Sequence, residues 1–99
     1  MLELITYEGL NRARMNIGDK RSEAVRFRDC LRESINKKLS WSQFQKIGQV
    51  YTLENVSKFS KSRVLLGLVE SYCEMVQNCR DLDTQLSTIH NLMEQCKSA

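Results

Sequence analysis

Only one histidine, His90, occurs in the 99 residues, and that limits the chemistry open to the chain. Neither a histidine-based metal cluster nor a Cys–His pair with a second orienting histidine can be assembled. His90 follows the apolar Ile89 and reads as a half-exposed helix histidine. The cysteines, Cys30, Cys73, Cys79 and Cys96, include no pair separated by two residues, so no Cys-x-x-Cys zinc or redox motif exists. They read as reduced, structural thiols, of which Cys79 and Cys96 fall on an apolar helix seam as small hydrophobes. Asp81 and Asp83 point in different directions on a helix, whereas Glu70 and Glu74 share a face with no base or metal ligand beside them. Four glycines are too few for a phosphate-cradling loop, and no nucleotide-binding fingerprint is present. The residues therefore predict a protein that is not an enzyme, with no catalytic set, no cofactor and no metal site.

Binding is the chemistry left to consider. Arg21, Arg28 and Arg32 are seven and four residues apart and should project together on the face opposite the apolar positions of their helix, joined by Arg14 if the helix were continuous. Such a stripe is a possible contact for an anionic partner. Glu23, Asp29 and Glu33 partly neutralise it, and the net charge is only +3, which favours a solvated face. The charge is uneven: residues 1–50 hold ten Lys/Arg against six Asp/Glu, and residues 51–99 hold five against six. Phe44-Gln45-Lys46-Ile47-Gly48 followed by Asn55-Val56-Ser57-Lys58-Phe59 resembles a DNA-binding helix-turn-helix. That resemblance implies Asn55, Ser57 and Lys58 in a major groove. The segment departs from the pattern in its long turn, which Val50, Tyr51 and Leu53 fill with apolar bulk.

The elements that must position these residues are helical. Leu65, Leu68, Tyr72, Met75, Cys79, Leu82, Leu86, Ile89, Met93 and Cys96 follow one another at alternating intervals of three and four. This is a heptad seam, and it predicts one long helix starting between Ser60 and Arg63 and ending near Lys97. Val64, Val69 and Val76 widen its first half, which predicts two or more neighbours there. Beyond Gln77 the flanks turn polar, at Asn78, Asp83, Gln85 and His90, which predicts a single partner helix. Within the seam, Arg80-Asp81-Leu82-Asp83 with Ile89 and Leu92 resembles the Lys-x-Asp-Leu segment of small coiled-coil subunits of lysosome-related complexes. The match is too short to assign the chain to that family.

Upstream, Ala24, Phe27, Leu31 and Ile35 mark the buried face of a helix from about Lys20 to Leu39. Gly18-Asp19 reads as the break before it, with Asp19 or Ser22 as N-cap, and Leu2 to Met15 as a first helix. Ser40 and Gln43 form a capping-box pattern that opens another helix, with Trp41, Phe44, Ile47 and Tyr51 on its buried face. Thr52 caps a short further turn carrying Val56 and Phe59. No segment alternates with period two. The expected fold is all-α: a three- to four-helix bundle over residues 1–99, with short helices in 1–59 and a long C-terminal helix in 60–97.

These readings combine into a non-enzymatic helical protein–protein interaction module. It would self-associate or serve as a subunit or adaptor of a larger helical assembly, using the seam from Leu65 to Met93 as interface. The alternative is a small basic nucleic-acid-binding regulator with a C-terminal dimerisation helix. No apolar run approaches the ~20 residues of a membrane span. The N-terminal segment carries acids where a secretory signal has bases, so a soluble intracellular protein without membrane contact is expected.

Overall fold

Residues 6–98 are described by the structure, a computed structural model, and they form four helices with no strand among them. Helix α1 spans Tyr7–Lys38, α2 Trp41–Ile47, α3 Leu53–Ser57 and α4 Arg63–Ser98. The all-α expectation and the long C-terminal helix are thus present. At ~1.5 Å per residue, α1 and α4 are each about 50 Å long. They run antiparallel and pack on one another, giving a body of 58 × 24 × 17 Å.

The N-terminal half differs from expectation. Gly18 and Asp19 do not break the chain: they lie inside a single 32-residue helix. The side-chain oxygen of Thr6, not of Asp19 or Ser22, caps it by accepting from the Gly9 N–H at 3.0 Å. Residues Leu2 to Ile5 of the expected first helix lie outside the described residues. The physical reason for continuity is the stripe that α1 presents to α4. Leu10, Ala13, Ile17, Ala24 and Ile35 recur at intervals built from steps of three and four across Gly18, and burying that stripe outweighs one helix glycine, which costs about 0.5–1 kcal/mol. This register turns Phe27 away from the stripe, and it is 64% exposed rather than buried.

Local capping shapes the connection between the long helices. Ser40 and Gln43 close the capping box in both directions, at 3.2 and 3.0 Å. Gly48 ends α2 in the left-handed region at φ +61°, where a side chain is strained. Asn55 then ties the loop to α3, its amide donating to the carbonyls of Ile47 and Val50 at 3.0 and 2.9 Å. The Thr52 hydroxyl caps α3 as expected. Trp41 is not on the buried face of α2: it is 72% exposed and stacked on Phe44, with ring centroids 5.9 Å apart.

Three clusters hold the fold along its length. At the connection end, Ile35, Ile47, Tyr51, Val56, Leu65 and Val69 make the main core. Mid-stem, Ala24 packs with Cys79 and Leu82, and at the far end Leu10 packs with Ile89 and Met93. All four cysteines are free thiols.

Helix continuity generates a contrast among glycines. A Cβ at Gly18 or Gly67 meets nothing within 4 Å. Gly18→Ala and Gly67→Ala should each stabilise by about 0.5–1 kcal/mol, raising the thermal midpoint by several degrees, while Gly48→Ala should lower it. A lowered midpoint for Gly18→Ala, measured by circular dichroism, would show that the chain turns there after all.

Candidate interaction surfaces

The seam residues of α4 are largely engaged within the chain. Leu65, Cys79, Leu82, Ile89 and Met93 are buried, and Leu68, Tyr72, Met75 and Leu86 are half-buried at its margins. Their neighbours are Ala24 and Leu10 of α1 and the core around Ile35. What the stem offers to another molecule is therefore its two flanks, left and right of the α1–α4 contact.

One flank is polar and partly covered. Arg21, Arg28 and Arg32 lie beside the buried stripe of α1, not opposite it, and all three are half-buried. Helical spacing explains this, since positions 21, 28, 32 and 35 share a side. Each guanidinium has its own partner. Arg21 donates to the Asp83 carboxylate across the stem, and that charge pair raises the arginine pKa further. Arg28 pairs with Asp29 at 3.1 Å. Arg32 donates to the Gln49 side chain at 2.8 Å and lies over the Tyr51 ring, 5.9 Å from its centroid. Arg14 bonds Asn11 at 2.8 Å. The three arginines of the sequence stripe are brought to one flank, but their donors are directed to three different places.

Tyr51 is the hinge of that flank. Its hydroxyl donates to Asn36, its ring meets Tyr72 edge-on at 5.8 Å, and its carbonyl accepts from the Cys73 thiol at 3.2 Å. Burial pushes the Tyr51 phenol above its ordinary pKa, with the Arg32 charge opposing. Farther along, Leu86 and His90 border an open depression with Arg14, Gly18 and Ser22.

The other flank is apolar and open. Phe27, Leu31 and Met75 line a groove with Ser71, Glu74 and Asn78 along one rim. Lys20, Glu23 and Arg26 border Phe27 from the α1 side, and the exposed Cys30 lies with them. Val64, 63% exposed, continues the strip through its spacing to Leu68, Ser71 and Met75. Expecting Phe27 in the core concealed this surface. A stripe traced unbroken through Gly18 exposes it, because Leu10, Ile17, Ala24 and Ile35 then suffice to face α4.

No group of three or more His, Cys, Asp or Glu side chains able to hold a metal occurs among the described residues. None of their helices is long and apolar enough to cross a membrane. No protein-family model, curated protein or solved structure matches the chain.

Two measurements check this geometry. Leu82→Ala empties a buried position and should cost about 2–5 kcal/mol in urea unfolding, whereas Leu86→Ala, at an open margin, should cost clearly less. An equal or larger loss at Leu86 would mean that the helix is rotated from this register. For Tyr51, a folded-state pKa above the unfolded value means that its contribution is complete below the ordinary tyrosine range. It is then lost as pH rises through the folded value. From about pH 10 upward the wild type should lose stability more steeply than Tyr51→Phe. Parallel curves would contradict the assignment.

Proposed function

We propose that the chain is a non-enzymatic protein–protein interaction module, a helical subunit that associates with itself or joins a larger helical assembly. The open flank of the stem carries this reading. Two helices packed side by side bury one stripe each and cannot enclose side chains that stand beside it. Phe27 and Val64 stand there, and Trp41 projects near the end of α1. Contiguous exposed apolar groups with a charged rim are the signature of an association surface, and aromatic side chains dominate the energetics of such surfaces. The three- and four-residue spacing of α4 suits coiled-coil-like packing against α1, so the seam holds the platform on which a partner docks.

A nucleic-acid-binding role draws less support from the geometry. The arginines that would contact phosphate are engaged with Asp83, Asp29 and Gln49. Asn55, which would read a groove, is bonded to the carbonyls of Ile47 and Val50, and α3 has only five residues.

The two roles differ in their response to salt. Light scattering of the reduced chain at low and high salt should show association that persists at high salt, because apolar burial is not screened. A monomer at every concentration that binds duplex DNA with affinity falling steeply with salt would overturn the proposal in favour of the nucleic-acid role.

A further inference from the structure

The apolar groove beside Phe27 lies on one flank of the stem, and the extended shape of the chain and the charges along the groove together point to what fits it. The chain exposes 7490 Å², against about 5800 Å² for a compact monomer of this mass. Its radius of gyration is 18.9 Å, against about 13 Å for a compact 100-residue domain. That excess of about 1700 Å² is spread over the whole elongated stem, which leaves room for the roughly 800 Å² that each chain of a stable dimer hides.

Charge selects both the partner and its orientation. Helix α1 holds nine Lys/Arg against five Asp/Glu, a net +4, while α4 holds three against five, a net −2. On the apolar flank this asymmetry is local. Lys20, Glu23 and Arg26 border Phe27 from α1, an edge that is net basic by one charge, while Glu74 borders Met75 on α4, and heptad spacing places Asp81 on the Glu74 side. A surface with a basic edge and an acidic edge is complementary to a copy of itself. Two symmetric arrangements bring such faces together. A twofold axis across the helices lays α1 on α1, basic upon basic. An axis along the helices lays α1 of each copy on α4 of the other.

Resting on the reading of the chain as an interaction module, we infer that the occupant of the Phe27 groove is a second copy of this chain, with α1 of each copy on α4 of the other. The product is a four-helix bundle in which the Phe27, Leu31 and Met75 faces meet. Height along the stem follows from the contacts within one chain, where Arg21 meets Asp83 and Ala24 meets Cys79 and Leu82. At those heights Arg26 stands near Glu74 of the second copy and Lys20 near Asp81, each contact occurring twice by symmetry. Apolar burial supplies the affinity, and the crossed charges exclude the arrangement with like helices together.

The test uses the full chain under reducing conditions, with mass followed by sedimentation equilibrium and helicity by circular dichroism. Wild type should have twice the 11.5 kDa chain mass. Phe27→Asp places a charge at an exposed position, so folding survives while dimer affinity falls at least about tenfold. Arg26→Glu and Glu74→Arg should each weaken the dimer, and the doubly exchanged chain should return to within about threefold of wild type. Weakening by both single exchanges without rescue would overturn the α1-on-α4 arrangement. A dimer indifferent to Phe27→Asp overturns the inference but leaves the interaction-module reading standing, as does a wild-type monomer that binds no DNA. A monomer that binds DNA in the salt-sensitive manner described above overturns both.

Discussion

Ala24 against Cys79 and Leu82 is the buried contact at the middle of the stem, and the antiparallel packing of α1 on α4 depends on it. A small side chain facing a thiol and a leucine lets the helix axes run close. Bulk increases toward both ends, with Leu10 against Ile89 and Met93 at one and the Ile35–Leu65–Val69 cluster at the other. Each helix contributes a stripe instead of a face. The connection segment thickens the body at one end only, and there it covers the arginine flank through Tyr51 and Gln49. The opposite flank receives no such cover.

That asymmetry links the fold to its proposed role. A three-layer arrangement would have used Phe27 and Met75 internally, whereas the thin stem presents them as a continuous apolar strip with charged borders. The polar flank is occupied by contacts within the chain, notably Arg21 with Asp83, which adds an electrostatic tie to the antiparallel register. The arginine flank is thus tied up by contacts within the chain, and the other flank is the one on which we propose that a second copy docks.

Much of this was legible in the residues, and the misreadings have a common origin. The α4 stripe, its start near Arg63, the Ser40–Gln43 capping box and the Thr52 cap all follow from local patterns that tertiary context leaves intact. Gly18-Asp19 was the misleading pair, because a helix glycine is tolerated when a long stripe buries on both sides of it. A break there restarts the stripe at Ala24 and Phe27 and puts Phe27 in the core, whereas the continuous helix leaves it exposed. Trp41 was misplaced for a similar reason: three- and four-residue spacing in a seven-residue helix does not say which of its residues meets a neighbour. The destinations of the arginines depend on Asp83 and Gln49, distant in sequence, and no local pattern reports such pairings.

The central claim is that the open flank of the stem is buried against another copy of the chain, so association adds to the stability of the fold. The most direct measurement is the thermal midpoint of the reduced chain over a range of protein concentrations spanning about a thousandfold. Mass action requires a midpoint that climbs steadily with concentration when the native state is a dimer. A midpoint independent of concentration, together with a cooperative transition, would show that a single copy completes its own fold and would contradict the account.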